Sequence, residues 1–368
     1  MRTTGQATGE GTRRFSHRHE IRLPGHFRES QGLWLSSIGI GTYLGEPTPS
    51  QDALYCAALS AAFEGGINVV DTAVNYRHQR SERIVGEALS AAIAGGTVQR
   101  DEVIVATKGG FLTFDGSEPE DPSEYFQRTL VDPGWLRPEE VVAGCHAISP
   151  KYLECQIEVS RRNLGLATLD VYYLHNPETQ AAHISRLEFE RRMRAAFTAL
   201  EMAAGERKIA IYGTATWNGY RVGLDSQECL SLPDLLRLAQ EVGGTNHRFR
   251  AIQLPYNLAM REALSARTQR VQGKAVPILQ VARDNGMLVF ASAPLLQAQL
   301  TRGLPEEARA WLPGLQTDAQ RAIQFVRSTP GVACALVGMS RAEHVQENLA
   351  TAQVPPLNLK QFRSIFSR

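Results

Sequence analysis

Asp71, Tyr76, Lys108 and His175 are the side chains in this sequence best suited to moving a proton to or from an oxygen. A carbonyl that accepts hydride becomes an alkoxide and must then take a proton. A phenol with an ordinary pKa of about 10 is a weak acid for that task at neutral pH. A lysine cation beside it favours the phenolate and lowers that pKa. A buried lysine keeps its charge only where a carboxylate holds it, the role open to Asp71. An imidazole at His175 would orient the substrate oxygen or share the proton. Together the four fit reversible carbonyl–alcohol conversion. Taken singly, each has an ordinary structural account: Asp71 as a turn former or helix cap, Tyr76 as a half-buried tyrosine, Lys108 as a surface cation, His175 as a satisfied core histidine. What joins them is their position along the fold.

From about Leu35 onward, short β-branched runs alternate with longer helical patterns. The strand candidates are Ser37–Thr42, Ile67–Val70, Val103–Thr107, Val171–Leu174, Ile209–Gly213, Ala251–Leu254, Met287–Ala291 and Ala333–Val337. Ser50, Ser81, and Ser149 followed by Pro150 read as helix starts, and Gly65-Gly66, Gly95-Gly96, Gly165 and Gly205 as stops. Eight strands, each followed by a helix, with nearly continuous apolar character, predict a closed (β/α)₈ TIM barrel. The alternative, an open nucleotide-binding sheet, lacks its G-x-G-x-x-G fingerprint, because Ile38-Gly39-Ile40-Gly41 carries only part of it. Ile21–Leu35 is expected to form an N-terminal β-hairpin covering the barrel floor. In such barrels chemistry sits at the C-terminal strand ends. That rule selects Gly41-Thr42-Tyr43, Asp71, Lys108, His175, Thr214 to Thr216, Gln253, Ser292 and Gly338 to Arg341, so three of the four proton-handling groups fall on successive strands.

The 368 residues include 39 Lys plus Arg and 38 Asp plus Glu, a net charge of +1, which gives no electrostatic footprint for nucleic acid or an anionic membrane. Five Cys without a C-x-x-C pair argue against a disulfide framework or structural zinc and make a reducing cytoplasm the default. No run approaches the roughly 18 apolar residues of a spanning helix. Residues 1–20 read as a flexible polar tail without an apolar signal core, leaving 21–368 as one barrel domain. His17 and His19 form an H-x-H pair of the kind used by metal-dependent barrel hydrolases, but in a polar tail they read as solvated residues, and no metal is expected.

The local sequences add a resemblance. The runs GINVVDTAVNY (66–76) and SERIVGEAL (81–89), VATK (105–108), LDVYYLH (169–175), IQLPYN (252–257) and ENL (347–349) resemble the motifs of the aldo-keto reductase superfamily, spread from about Gly41 to Leu349. The resemblance implies a (β/α)₈ barrel that uses a nicotinamide dinucleotide without a Rossmann domain. Tyr76 would be the general acid/base, Lys108 and Asp71 its tuning pair, and His175 the substrate-orienting group. Cofactor contacts would come from Gly41, Thr42, Thr216, Gln253, Ser292, Pro294 and Leu295. Others would come from Gly338, Ser340, Arg341, His344, Glu347 and Asn348. NADP(H) is the preferred cofactor and NAD(H) the alternative, with Arg341 facing the 2′-phosphate. The chain departs from the family pattern at three places: Ala215-Thr216 stands for Ser-Asn, Ser292 for a stacking tyrosine, and His344 for an arginine.

Residues 110–148 form a βα connection far longer than usual. From Phe111 to Ile148 it holds eight acidic and two basic residues, four prolines and five aromatics. That aromatic content reads as a packed lid-like loop after the third barrel strand. Tyr43, Phe111, Trp135 and His146 are the substrate-binding candidates. An acidic lid disfavours anions, so the expected partner is a small neutral carbonyl or alcohol, with no nucleic acid and no membrane, and no oligomeric state is assigned. The competing reading is a barrel that binds NADP(H) as a regulatory, redox-sensing subunit with little turnover.

Overall fold

The computed structural model describes residues 2–366. Among the described residues there are twelve strands, and eight of them close a parallel barrel: β3 (Ile38–Gly41), β4 (Val69–Asp71), β5 (Ile104–Gly109), β6 (Leu169–His175), β7 (Ile209–Ala215), β8 (Phe249–Pro255), β11 (Leu288–Ser292) and β12 (Cys334–Gly338). The barrel closes between β12 and β3, where Gly338 stands opposite Gly41. Helices alternate with these strands and ring the outside, so the expected (β/α)₈ architecture is the observed one.

Side-chain alternation explains why both strand faces are apolar. Val69, Ile104, Ala106, Val171, Tyr173, Leu288 and Phe290 join one cluster, the barrel interior. Their neighbours Val70, Val105, Tyr172, Leu174 and Val289 join the larger cluster that packs against the helices. Strand register then brings the functional ends level: Gly41 opposite Asp71, His175 opposite Ala215, and Ala215 opposite Gln253.

β1 (Phe27–Ser30) and β2 (Leu33–Ser36) pair antiparallel, the expected hairpin. Gln31 and Gly32 both have positive φ (51° and 77°), the two-residue turn that matches strand twist. A second hairpin, β9 (Gln269–Val271) with β10 (Lys274–Val276), repeats this turn at Gln272-Gly273 and was not foreseen.

The expectation of a flexible tail over residues 1–20 is corrected. Gly9–His19 is a helix capped by Thr8, whose Oγ1 accepts from the Gly11 N–H at 3.0 Å. Its only large apolar residue, Phe15, is fully buried, while Arg14 and Arg18 both reach the buried Glu102. The Ala7 N–H donates to Asp170 Oδ1 at 2.6 Å, fastening the segment below the barrel. A single buried aromatic and ion pairs, not a repeating apolar stripe, hold this helix, so a periodicity search passes over it. Two start signals also move. Thr48, not Ser50, caps Pro49–Gly65, and Ser81 lies inside the helix Arg80–Ala94, its hydroxyl donating to the Thr42 carbonyl.

Residues 110–148 form a structured insertion with short helical turns at Pro122–Phe126, 127–131 and Pro138–Glu140. Its stem closes on itself: Leu112 N–H donates to Cys145 O (2.7 Å) and Ala147 N–H to Gly110 O (2.9 Å). Phe114 packs against Tyr125 and Phe126, and Leu136, Ala147 and Tyr152 form a small separate core.

Candidate active site

β4 ends at Asp71, and the chain then turns so that Tyr76 comes back over the barrel mouth. The turn continues through three consecutive non-glycine residues with positive φ, Arg77, His78 and Gln79 (50°, 54° and 69°). Such conformations persist only where neighbours enforce them. Here Arg77 is buried and pairs with Asp52 at 2.5 Å, and Asp52 also holds Arg80. Gln79 donates to the Phe114 carbonyl at 3.0 Å, and the Gly116 N–H donates to the His78 carbonyl at 2.9 Å. The helix Pro49–Gly65 and the insertion thus grip the tyrosine loop from two sides.

Lys108, on β5, is fully buried. Its Nζ donates to Asp71 Oδ2 (2.7 Å), to the Thr72 carbonyl (2.8 Å) and to the Tyr76 hydroxyl (3.2 Å). Gln253 Nε2 donates to the other carboxylate oxygen of Asp71 at 2.7 Å. His175, at the end of β6, meets Tyr76 edge-on with ring centroids 5.8 Å apart. The four residues singled out in the sequence are therefore one assembly.

The electrostatics refine the expectation for the phenol. Burial pushes Tyr76 above its ordinary value, and the Lys108 cation pulls the other way without cancelling it. Burial works against the charge of Lys108, yet Asp71 and Tyr76 more than offset that and hold the ammonium above its usual value. Burial, and then the nearby charge of Lys108, drive His175 well below the ordinary histidine value. At neutral pH the site therefore holds a protonated phenol, an ammonium and a neutral imidazole.

A cavity of about 490 Å³ opens over this group. Gly41, Thr216, Gln253, Ser292, Pro294, Leu295 and Gly338 line it, as do Tyr43 and Phe111. Tyr43 meets Tyr76 and Phe111 meets His175, each with ring centroids 5.0 Å apart. The other candidates do not line it. Trp135 is 38% exposed on the insertion. His146 is fully buried behind Phe111. Thr42 is buried, its hydroxyl donating to that of Thr72 at 2.9 Å. Arg341, His344 and Glu347 are exposed, Ser340 is half-buried and Asn348 is buried, all at or within the helix Ala342–Leu349 that follows β12.

Sequence reading missed several wall residues. Asn176 and Trp217 each follow a strand-end residue it did select, so extending those ends by one position would have found them, and Asn75 directly precedes Tyr76 in its loop. Gln297 and Ala298 line the rim from a run of left-handed backbone (φ 50° and 68°) beyond β11 that no turn residue announces. Glu178 was also missed. Its Oε1 accepts from the N–H groups of Trp217 and Asn218 (2.7 and 3.0 Å), which fixes the loop after β7.

A closed (β/α)₈ barrel with an Asp–Lys–Tyr–His group at its C-terminal mouth, its Asp71 and Lys108 buried, defines the class of protein. The sequence model of the aldo/keto reductase family matches residues 37–310, and the chain belongs to that family of oxidoreductases. It is 24% identical over 340 residues to the oxidoreductase YqkF of Bacillus subtilis (strain 168), covering 91% of this chain and 93% of that one. It is 26% identical over 148 residues to prostaglandin F synthase 1 of Bos taurus, where the match covers 40% of this chain and only 34% of the relative. A crystal structure of an aldo/keto reductase from Klebsiella pneumoniae in complex with NADP and acetate superposes with a TM-score of 0.62 at 21% identity, over 93% of this chain and 94% of that one.

Proposed function

We propose that this chain interconverts a small neutral carbonyl compound and its alcohol by hydride transfer, with NADP(H) as cofactor and Tyr76 as general acid/base. The observation that carries the reading is the Lys108 ammonium, bonded at once to Asp71 and Tyr76 at the floor of the cavity. The residues present fit a nicotinamide. Thr216 Oγ1 is buried without a partner, Gln253 adjoins it, and both line the cavity. Thr216 and Gln253 would hold the carboxamide, and Gly41 and Gly338 leave the rim open. Arg341, exposed just before the helix Ala342–Leu349, would take the 2′-phosphate. The NADP of the Klebsiella pneumoniae structure supports the same choice.

When bound, the reduced cofactor supplies the hydride. This chain's residues handle the proton. Tyr76, kept protonated by burial, donates to the oxygen as negative charge develops there, and Lys108 stabilises the phenolate left behind. Asp71 keeps the lysine charged, and neutral His175 orients the oxygen from the other side. In oxidation the phenolate accepts the proton. Asp71 is the only Asp, Glu, Lys or Arg among the described residues that line the cavity, and it is paired with Lys108 at 2.7 Å. Aromatic and amide side chains make up much of the rest, which supports neutral substrates.

The test is a fluorescence titration with NADPH and NADH, followed by a carbonyl and alcohol panel. Saturable NADPH binding with turnover of neutral aldehydes or ketones is expected. Tight binding with no turnover on any carbonyl would point to a redox-sensing subunit, and absent binding of both cofactors would end the proposal.

A further inference from the structure

A chain of directional hydrogen bonds runs from Arg192 through the stem of the insertion after β5 to the backbone of His175. Arg192 Nη1 donates to Gln180 Oε1 at 2.8 Å. Arginine has no acceptor, so the oxygen of this amide must face it and the nitrogen must face away. Gln180 Nε2 then donates to His146 Nδ1 and to the His146 carbonyl, both at 3.0 Å. His146 Nδ1 is therefore an acceptor, and its ring proton sits on Nε2. That nitrogen lies 2.7 Å from the carbonyl oxygen of His175, which can only accept. Every polarity in the chain is fixed by the one before it. Gln180 and His146 are both fully buried.

Arg192 is held in turn by Glu188 (2.9 Å) and by the carbonyl of Glu140, a residue of the insertion (3.0 Å). Phe111, opposite His146 in the stem, meets the rings of His146 and His175 edge-on, each at 5.0 Å. The imidazole of His175 has a buried Nδ1 without a partner, so its ring orientation rests on packing and on the placement of its own backbone.

We propose that His146 is a positioning residue, its Nε2–H fixing the His175 backbone so that the His175 imidazole addresses the reacting oxygen, and that Gln180 and Arg192 set the tautomer this requires. The inference rests on the carbonyl-reductase reading for its kinetic consequence, but not for its structural one. Burial lowers His146 to about 4, so the neutral Nε2–H form persists across the working range.

The experiment compares His146→Phe, His146→Gln and Gln180→Leu with wild type, using full-length protein. His146→Phe keeps the ring packing and removes the donor, whereas His146→Gln restores a donor. The first readout is ¹⁵N-histidine NMR, which needs no turnover. Wild type should show a slowly exchanging His146 Nε2–H, and His146→Phe should shift the His175 ring resonances while His146→Gln largely restores them. The second readout is kinetic. His146→Phe should lower kcat roughly tenfold with NADPH affinity unchanged, His146→Gln should recover most of that, and Gln180→Leu should fall between. Unmoved His175 resonances in His146→Phe, or equal losses in the Phe and Gln variants, overturn the assignment. If the resonances respond as expected but wild type turns over no carbonyl, the positioning contact stands and the proposed activity falls.

Discussion

The Nζ of Lys108 lies 3.2 Å from the hydroxyl of Tyr76 and 4.7 Å from the centre of its ring, so one cation meets both the polar tip and the π-face of the phenol. Two opposing effects meet there. Burial disfavours the phenolate, and the ammonium favours it. Burial prevails, which leaves a proton on Tyr76 ready for donation and gives the ammonium its largest role once that proton has left. Tyr76→Phe removes the donor alone. The expected result is a loss of about 10²–10⁴ in kcat with the NADPH dissociation constant unchanged, read by steady-state kinetics beside fluorescence titration. A comparable loss of cofactor affinity would move Tyr76 from proton transfer to binding.

The pH profile follows from the same balance. Tyr76 is raised above its ordinary value, so the acid form persists and carbonyl reduction should stay level from about pH 6 to pH 9. Alcohol oxidation needs the phenolate and should rise about tenfold per pH unit over that range. His175 is pushed well below its usual value, so neither direction should show a break near the ordinary histidine pKa. An inflection at about 6.5 that disappears in a His175→Gln variant would contradict this.

Lys108→Met separates catalysis from stability. It strands a carboxylate that is 6% exposed, leaving only the Gln253 amide on Asp71. Breaking one side of a buried ion pair typically costs about 3–5 kcal/mol. Urea denaturation should show a loss of that order, and Asp71→Asn added to Lys108→Met should recover much of it. Turnover should not return in the double variant, because the cation facing the phenolate is still missing. Recovery of both would make the pair purely structural.

The barrel and its proton-handling group were legible because they depend on local pattern. Continuous apolar strands, glycine stops, three of the four residues at strand ends and the fourth in the motif five residues after one of them are all visible along the chain. The insertion's role was half legible. Its aromatics announced a packed segment, but its histidine turned out to face His175's backbone and not the cavity, a matter of side-chain direction that composition does not hold. Trp135 sits 38% exposed for the same reason. Thr72, whose carbonyl takes one of the three Lys108 hydrogen bonds, contributes only backbone and leaves no residue-type signal.

Cofactor discrimination gives a further expectation. Arg341 is exposed and precedes the helix Ala342–Leu349, so its charge is available to a phosphate. Arg341→Ala should weaken NADPH by roughly tenfold or more while leaving NADH nearly unchanged, in line with the strength of a charge-assisted contact. Equal losses for both cofactors, measured by the same titration, would show that the 2′-phosphate lies elsewhere.

The N-terminal helix supplies the last prediction. Phe15 is wholly buried, meeting Phe27 of the hairpin edge-on at 6.0 Å and His19 at 4.8 Å. Beside it Arg14 and Arg18 bind Glu102, which is 0% exposed and immediately precedes the third barrel strand's run, and the Arg18 guanidinium also lies over the Phe15 ring, 5.1 Å from its centre. These contacts lie at the N-terminal ends of the barrel strands, away from the cavity. Phe15→Ala should therefore cost about 3–5 kcal/mol, the usual range for an aromatic removed from a packed core. Glu102→Gln should destabilise by a smaller amount that shrinks as salt is raised, because its partners are 35% and 40% exposed. Neither change should alter kcat or cofactor affinity under conditions where the protein is fully folded. Chemical denaturation followed by assays well below the transition checks both points. A variant with unchanged stability would return residues 1–20 to the status of a loose tail, and altered kcat in a folded variant would mean the barrel floor communicates with its mouth.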